Sequence, residues 1–209
     1  MMSLTRDGSF GAVWLSVHCG GELVAKARDS IKIVNVVASG SVGRELDLLR
    51  LTSQLDGAEY DPKKFPGLVY RANNPKTASL LFRSGRIVCT GAQSIDDARK
   101  GIEHVIQSLR NVGIEINDTQ EIEVQNIVAS ADLHAALNLN AVAMGLGLEH
   151  TEYEPEQFPG LVYRVATPKV VALLFASGKM IITGGRKLED PADAADRIAA
   201  DLKSLGLLQ

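Results

Sequence analysis

Cysteine is nearly absent. The two in 209 residues, Cys19 and Cys89, stand at no metal or redox spacing, which excludes a disulfide-stapled fold and suits inert thiols in a reducing compartment. Histidine is as sparse, and His18, His104, His134 and His150 lack any mutual spacing suited to a metal site or a catalytic triad. Aromatic residues make up only 5% of the chain, with one Trp and five Phe. No apolar run approaches the roughly 20 residues needed to cross a bilayer. Residues 10–17 are apolar, but Arg6 and Asp7 before them and Cys19-Gly20-Gly21 after them make a poor secretion signal. Nor does a nucleophile with its base, or a carboxylate pair, recur in matching loops, so the residues give an enzyme no support and call for no cofactor or metal. At 45% hydrophobic, the chain is long enough for one sizeable core or two small ones.

What the chain does have is a stretch written twice. Residues 65–91 read FPGLVYRANNPKTASLLFRSGRIVCTG and residues 158–184 read FPGLVYRVATPKVVALLFASGKMIITG, identical at 16 of 27 positions without a gap. A supersecondary unit copied and fused in this way predicts a pseudo-twofold molecule whose halves present matching side chains to one partner. The charges are shared unequally: Lys+Arg against Asp+Glu is 3 and 3 for residues 1–30, 12 and 9 for 31–117, and 7 and 13 for 118–209. The segments thus carry 0, +3 and −6, so two similar modules offer different outer surfaces to further partners.

Taken in order, residues 1–30 match neither copy and predict a poorly ordered arm. A first repeat is expected over 31–117 and a second over 118–209. Each opens on a β-branched strand, with Ile33, Asn35 and Val37 on one face of the first and Asn126 and Val128 in the same relation in the second. Helical stretches are expected at 42–55, using Leu46, Leu49 and Leu55, and at 133–146. Short strands follow at 58–60 and 151–153, each running into a proline-bounded loop that is basic in the first copy (Lys63, Lys64) and acidic in the second (Glu154, Glu156). The duplicated stretch itself reads as a three-strand meander that must bring Phe65 beside Phe82 and Phe158 beside Phe175. An amphipathic helix closes each copy, started by Ser94 with Asp97 in the first and by Asp190 as N-cap with Pro191 in the second, and ended by Gly113 and Gly206. Each repeat is β-α-β-β-β-β-α, with helices enough to cover one sheet face. The other face is left for a partner. From the residues alone, the asparagines suit a sheet hydrogen bond as well as a ligand contact, and the phenylalanines a core as well as a wedge. A fused domain that binds a small molecule or a protein on the same sheet is also open.

Residues 31–209 resemble the TATA-binding protein family in its archaeal form. The resemblance rests on QNIVAS (125–130), YEPEQFPGLVYR (153–164), LLFASGKMIITG (173–184) and their first-copy counterparts. It implies an α+β fold: a saddle-shaped, ten-stranded curved antiparallel sheet with helices on the convex side and the concave side on the minor groove of double-stranded promoter DNA at the TATA box. The implied role is that of a general transcription initiation factor that binds and bends A·T-rich DNA and recruits transcription factor B and, through it, RNA polymerase. The implied setting is the nucleoid in an archaeal cytoplasm, with homodimerisation when DNA-free.

By the same resemblance, Asn35, Asn126, Thr90 and Thr183 are hydrogen-bond donors to the groove, whose A·T pairs offer only acceptors. Val37, Val128, Val88, Ile181, Leu80 and Leu173 form an apolar floor that would clash with the exocyclic amino group of guanine. Phe65, Phe82, Phe158 and Phe175 are the wedges that prise base steps apart. Arg71, Lys76, Arg86, Arg164, Lys169, Lys179 and Arg186 are a basic rim for phosphates. Gln93 departs from the Lys usual there. Glu154, Glu156 and Gln157 match the loop that receives transcription factor B, with Gln157 where Leu is often found, and the basic first loop would repel the same partner.

Overall fold

Two copies of one hydrophobic pattern fold into two copies of one unit. The computed structural model describes residues 27–116 and 121–208. The first unit holds β1 (Lys32–Ser41), α1 (Leu48–Gln54), β2 (Ala58–Glu59), β3 (Leu68–Asn73), β4 (Lys76–Leu81), β5 (Arg86–Ala92) and α2 (Ile95–Asn111). The second holds β6 (Glu123–Asp132), α3 (Leu139–Leu146), β7 (Thr151–Glu152), β8 (Gly160–Val165), β9 (Val170–Phe175), β10 (Lys179–Gly185) and α4 (Asp190–Ser204). All ten strands form one antiparallel curved sheet in the order β2-β3-β4-β5-β1-β6-β10-β9-β8-β7. Exchanging the repeats leaves that order unchanged, so the pseudo-twofold axis runs between β1 and β6. The expected α+β saddle of two β-α-β-β-β-β-α repeats is the observed one.

The strands alternate between a covered and an open face. On β5, Ile87 and Cys89 are fully buried while Val88 and Thr90, which alternate with them, are half-open; on β9, Ala172 and Leu174 are buried while Val171, Leu173 and Phe175 are half-open. The buried set divides into one core per repeat, each lying between its half-sheet and its own long helix. Ala98, Ile102, Val105 and Leu109 of α2 meet Leu68, Leu81 and Ile87, and Ala194, Ala195, Ile198 and Leu202 of α4 meet Leu161, Leu174 and Ile182. Fully burying each of these Leu and Ile side chains contributes about 1.5–3 kcal/mol. Both cores lie on the helix side. The open side therefore keeps apolar residues that no element among the described residues covers.

Several expectations change in detail. The first helices begin at Leu48 and Leu139, later than expected, because Asp47 and Asn138 accept from the N–H groups of Arg50 and Ala141 as N-caps. The chain ahead of each cap is tied down elsewhere: the amides of Val42 and Leu46 donate to Gly85 and Arg83, and those of Leu133 and Leu137 to Gly178 and Ala176. Leu48 and Leu51 face the core in place of Leu49, which is 70% exposed. Ile33 does not share a face with Asn35, since a bulge between them shifts the β1–β6 register and turns Ile33 to the first core. Asp190 is not the N-cap of α4. Glu189 holds that position, and the Asp190 carboxylate reaches back to accept from the amides of Arg186 and Lys187 at 2.8 and 2.9 Å. Of the segment read as an arm, Ala27–Ser30 forms a 3-10 turn packed on the second repeat; residues 1–26 lie outside the described residues.

Candidate nucleic-acid interface

The centre of the open face is set by the pairing of β1 with β6. Asn35 lies opposite Val128 and Val37 opposite Asn126, so two amides and two isopropyl groups alternate around the axis. From there the rows run outward in register. Val69, Leu80 and Val88 are successive cross-strand neighbours in the first repeat, as are Val162, Leu173 and Ile181 in the second, and Thr90 and Thr183 sit opposite Ala78 and Val171. The resulting surface is mainly apolar, with Asn35, Asn126, Thr90 and Thr183 among its polar points. Beneath it Cys89 is buried, and burial pushes its thiol above the usual range, as an inert core side chain requires.

Both asparagines are held in one orientation by the same device. Gly91 N–H donates to Asn35 Oδ1 at 2.8 Å, and Gly184 N–H to Asn126 Oδ1 at 2.7 Å. These bonds, with the Thr90 and Thr183 hydroxyls at 3.3 and 3.4 Å from the same oxygens, occupy the carbonyl and leave Nδ2 as the donor. It lies 3.2 Å from Thr90 Oγ1 in one repeat and 3.2 Å from Thr183 Oγ1 in the other. An NH2 group has two protons, and one is left for a ligand. Gly91 and Gly184 can aim their amides inward because they adopt φ of +88° and +100°, a region that side chains strain. The asparagines thus make a sheet bond and keep a donor free.

Each end of the face carries a phenylalanine pair. The rings of Phe65 and Phe82 have centroids 6.1 Å apart at 61°, and those of Phe158 and Phe175 are 6.0 Å apart at 66°, edge-to-face in both cases. Phe65 and Phe158 remain 40% and 39% exposed, which in a protein with two well-filled cores is a surface looking for contact. Each pair leans over a glycine. A Cβ on Gly67 would lie 2.7 Å from Phe65 and 3.2 Å from Phe82, and one on Gly160 would lie 2.6 Å from Phe158 and 3.0 Å from Phe175. These two glycines, with Gly91 and Gly184, are supporting residues that the sequence reading did not single out. Their signal was present all along as the Phe-Pro-Gly and Thr-Gly identities of the repeat.

The basic residues are all exposed. Arg71 and Lys76 flank a concavity with Ala78 and Gly91, and Arg164, Lys169 and Arg186 flank its larger counterpart, ≈ 870 Å³, with Val171 and Gly184. Arg86 and Lys179 begin β5 and β10, in alternation with Val88 and Ile181. The rim is not fully symmetric. Arg164 is paired to Glu152 at 2.7 Å, and Gln93 stands where the second repeat has Arg186. Arg186 owes its placement partly to the Asp190 carboxylate on its backbone amide. Beyond the rim, Glu154, Glu156 and Gln157 are exposed on a tight turn in which the Gln157 and Phe158 amides both donate to the Glu154 carbonyl at 2.9 Å. One turn therefore carries the acidic side chains and places Phe158.

The family model described as "Transcription factor TFIID (or TATA-binding protein, TBP)" matches residues 30–112 and 121–205, one span per repeat. The chain belongs to the TATA-binding protein family. That is a family of transcription factors, not of enzymes. Among its members, the TATA-box-binding protein of Haloarcula marismortui is 59% identical over 181 residues, covering 87% of this chain and 97% of that one. The TATA-box-binding protein of Archaeoglobus fulgidus is 54% identical over 178 residues, covering 85% and 97%. A solved structure of Methanococcus jannaschii TBP superposes with a TM-score of 0.75 at 49% identity, covering 84% of this chain and 99% of that one. Among the described residues, no helix is long and apolar enough to cross a membrane.

Proposed function

We propose that this protein binds A·T-rich promoter DNA through the minor groove, bends it, and serves transcription initiation in an archaeal cell by recruiting transcription factor B and, through it, RNA polymerase. The observation that carries the reading is the pair of locked asparagine amides on an otherwise apolar open face. An A·T minor groove presents only adenine N3 and thymine O2 as acceptors, so it is met by few donors in an apolar surround, whereas a guanine amino group would be pressed against Val37, Val128, Val88 or Ile181. The phenylalanine pairs stand where wedges would enter base steps at the two ends of the site. Minor-groove wedging is a known habit of this family, and the cost of unstacking is offset by the surface that a bent duplex brings against the sheet. The rim cations would hold phosphates and set position without reading sequence. Glu154, Glu156 and Gln157 offer an acidic turn to a basic partner on one side only, which supports assembly in one direction. Free of DNA, the same apolar face supports self-association into a homodimer.

The test is a titration of A·T-rich and G·C-rich duplexes of equal length at moderate salt, with end-to-end fluorescence transfer as the measure of bending. Tight binding and bending of the A·T-rich duplex alone is expected. Phe158→Ala and Phe175→Ala should bend it less than Phe10→Ala does. Equal affinity for both duplexes would sink the reading.

A further inference from the structure

An acidic residue stands on the cationic rim of the open face. Asp190 lines the larger concavity together with Arg164, Lys169 and Arg186, where a carboxylate works against a phosphate by like-charge repulsion. Its hydrogen bonds give it another task. Asp190 Oδ2 accepts from the amides of Arg186 and Lys187 at 2.8 and 2.9 Å, and the Asp190 amide donates to the Lys187 carbonyl at 3.2 Å, so the turn is closed from both sides. The carboxylate holds Arg186 by its backbone and leaves the guanidinium unspent. Among the described residues Arg186 enters no ion pair, whereas Arg164 at the same concavity is engaged by Glu152 at 2.7 Å.

The repeats differ in how this turn between sheet and long helix is held. An interval of 93 residues carries Ala92, Gln93, Ser94 and Asp97 onto Gly185, Arg186, Lys187 and Asp190. In the first repeat Ser94 caps α2 directly, its hydroxyl accepting from the Asp97 amide at 3.0 Å and donating to the Asp97 carboxylate at 2.8 Å. The helix then begins at Ile95 and fixes the residue that follows Gln93. In the second repeat Lys187 replaces that serine, and α4 begins at Asp190 with no side-chain bond from Glu189 at its N-cap. Residues 186–189 lie outside the helix, and the Asp190 carboxylate does what the missing cap would have done. Gly185 makes room for it: a Cβ there would lie 3.0 Å from Asp190 Cβ, and the first repeat, whose Asp97 turns to Ser94 instead, carries Ala92 at this place. We infer that Asp190 is a positioning residue for DNA binding, which through the Arg186 and Lys187 amides holds the Arg186 guanidinium ready for a phosphate and acts as a hydrogen-bond acceptor rather than as a charge. The inference rests on the reading of Arg186 as a phosphate contact. Bonds from two successive amides to one carboxylate are short and directional, and an arginine whose backbone is already fixed loses less freedom on meeting its phosphate.

The dependence of log affinity on log salt for one A·T-rich duplex tests it in the full chain, since each lost phosphate contact makes that slope shallower by about 0.9. Arg186→Ala sets the reference. Asp190→Ala should flatten the slope by nearly as much, Asp190→Asn should keep the wild-type slope because its amide oxygen still accepts, and Asp190→Ala added to Arg186→Ala should flatten it no further. Tighter binding by both Asp190 variants at an unchanged slope would mean that the carboxylate acts by repulsion, and would overturn the inference. If Arg186→Ala leaves the slope as it was, the phosphate contact fails and the positioning role goes with it; a flatter slope for Arg186→Ala but not for Asp190→Ala overturns the positioning role alone. Amide exchange in the DNA-free protein gives a second measurement. Asp190→Ala should speed exchange at Arg186 and Lys187 about tenfold and Asp190→Asn should not, and unaltered exchange in the alanine variant would also overturn the inference.

Discussion

At the scale of single residues, Asn126 shows how a polar group is placed on an apolar sheet without being spent there. Its oxygen takes the Gly184 N–H and its nitrogen lies beside Thr183 Oγ1, so acceptor and donor have separate tasks. Asn126→Asp separates them: a carboxylate still accepts from Gly184 but offers a bare acceptor to the groove. Melting temperature should stay within a few degrees, while affinity for A·T-rich duplex falls about five- to 150-fold, the loss of a donor facing a desolvated acceptor being worth about 1–3 kcal/mol. Fluorescence anisotropy with thermal melts reads both, and full affinity would mean that Nδ2 makes no contact. Gly160 is the second case. A methyl group there would sit 2.6 Å from Phe158 and 3.0 Å from Phe175, so both rings must swing aside. Gly160→Ala should therefore reduce the bend angle as much as Phe158→Ala does, with the second core intact, and a wild-type bend would show that the rings tolerate the push.

At the scale of elements, the acidic turn between β7 and β8 is built from local bonds, with the Gln157 and Phe158 amides closing on Glu154, and its carboxylate side chains are exposed. Because nothing in the fold depends on those carboxylates, Glu154→Lys with Glu156→Lys should leave binding to DNA alone within about twofold, yet abolish the ternary complex with transcription factor B by like-charge repulsion. Gel-shift supershifts measure it, and survival of the ternary complex would move the partner's footprint elsewhere. What could be read from the sequence also divides by element. The meander, the long helices and the phenylalanine contacts were legible because strand alternation, helical spacing and a hairpin register are local consequences of side-chain order. The residues proposed for the site stood out in the sequence for a different reason: they recur in both copies, 91 residues apart on the first strands and 93 apart in the meander. The starts of α1 and α3 were not legible: Val42 and Leu46 are held extended by bonds to a turn some forty residues away, which no local propensity encodes. The bulge that sends Ile33 to the core was equally hidden, since its cause is pairing with β6, and so was the role of Gly67 and Gly160, which act through space left empty.

At the scale of the whole molecule, duplication gives two matched halves of one open face, and differences between the copies unbalance them. The second half has Arg164, Lys169 and Arg186 at its concavity, with Arg164 engaged by Glu152; the first has Arg71 and Lys76, with Gln93 in the third place. The backs differ in the opposite sense, since residues 118–209 carry −6 and residues 31–117 carry +3. The net charge of −3 therefore says little about the open face, which carries exposed cations on both flanks of an apolar floor. Each phosphate neutralised on duplex DNA releases condensed counterion, so the slope of log affinity against log salt counts the working cations at about 0.9 per contact. Gln93→Arg restores the missing one on a position already matched by Arg186 across the axis. It should steepen that slope by about 0.9 and tighten binding several-fold at low salt, with A·T preference unaltered because a phosphate contact carries no base information. Titrations at four or more salt concentrations on one A·T-rich and one G·C-rich duplex give slope and preference together. An unchanged slope would mean that the duplex does not pass over Gln93, and hence that the two halves are not engaged alike.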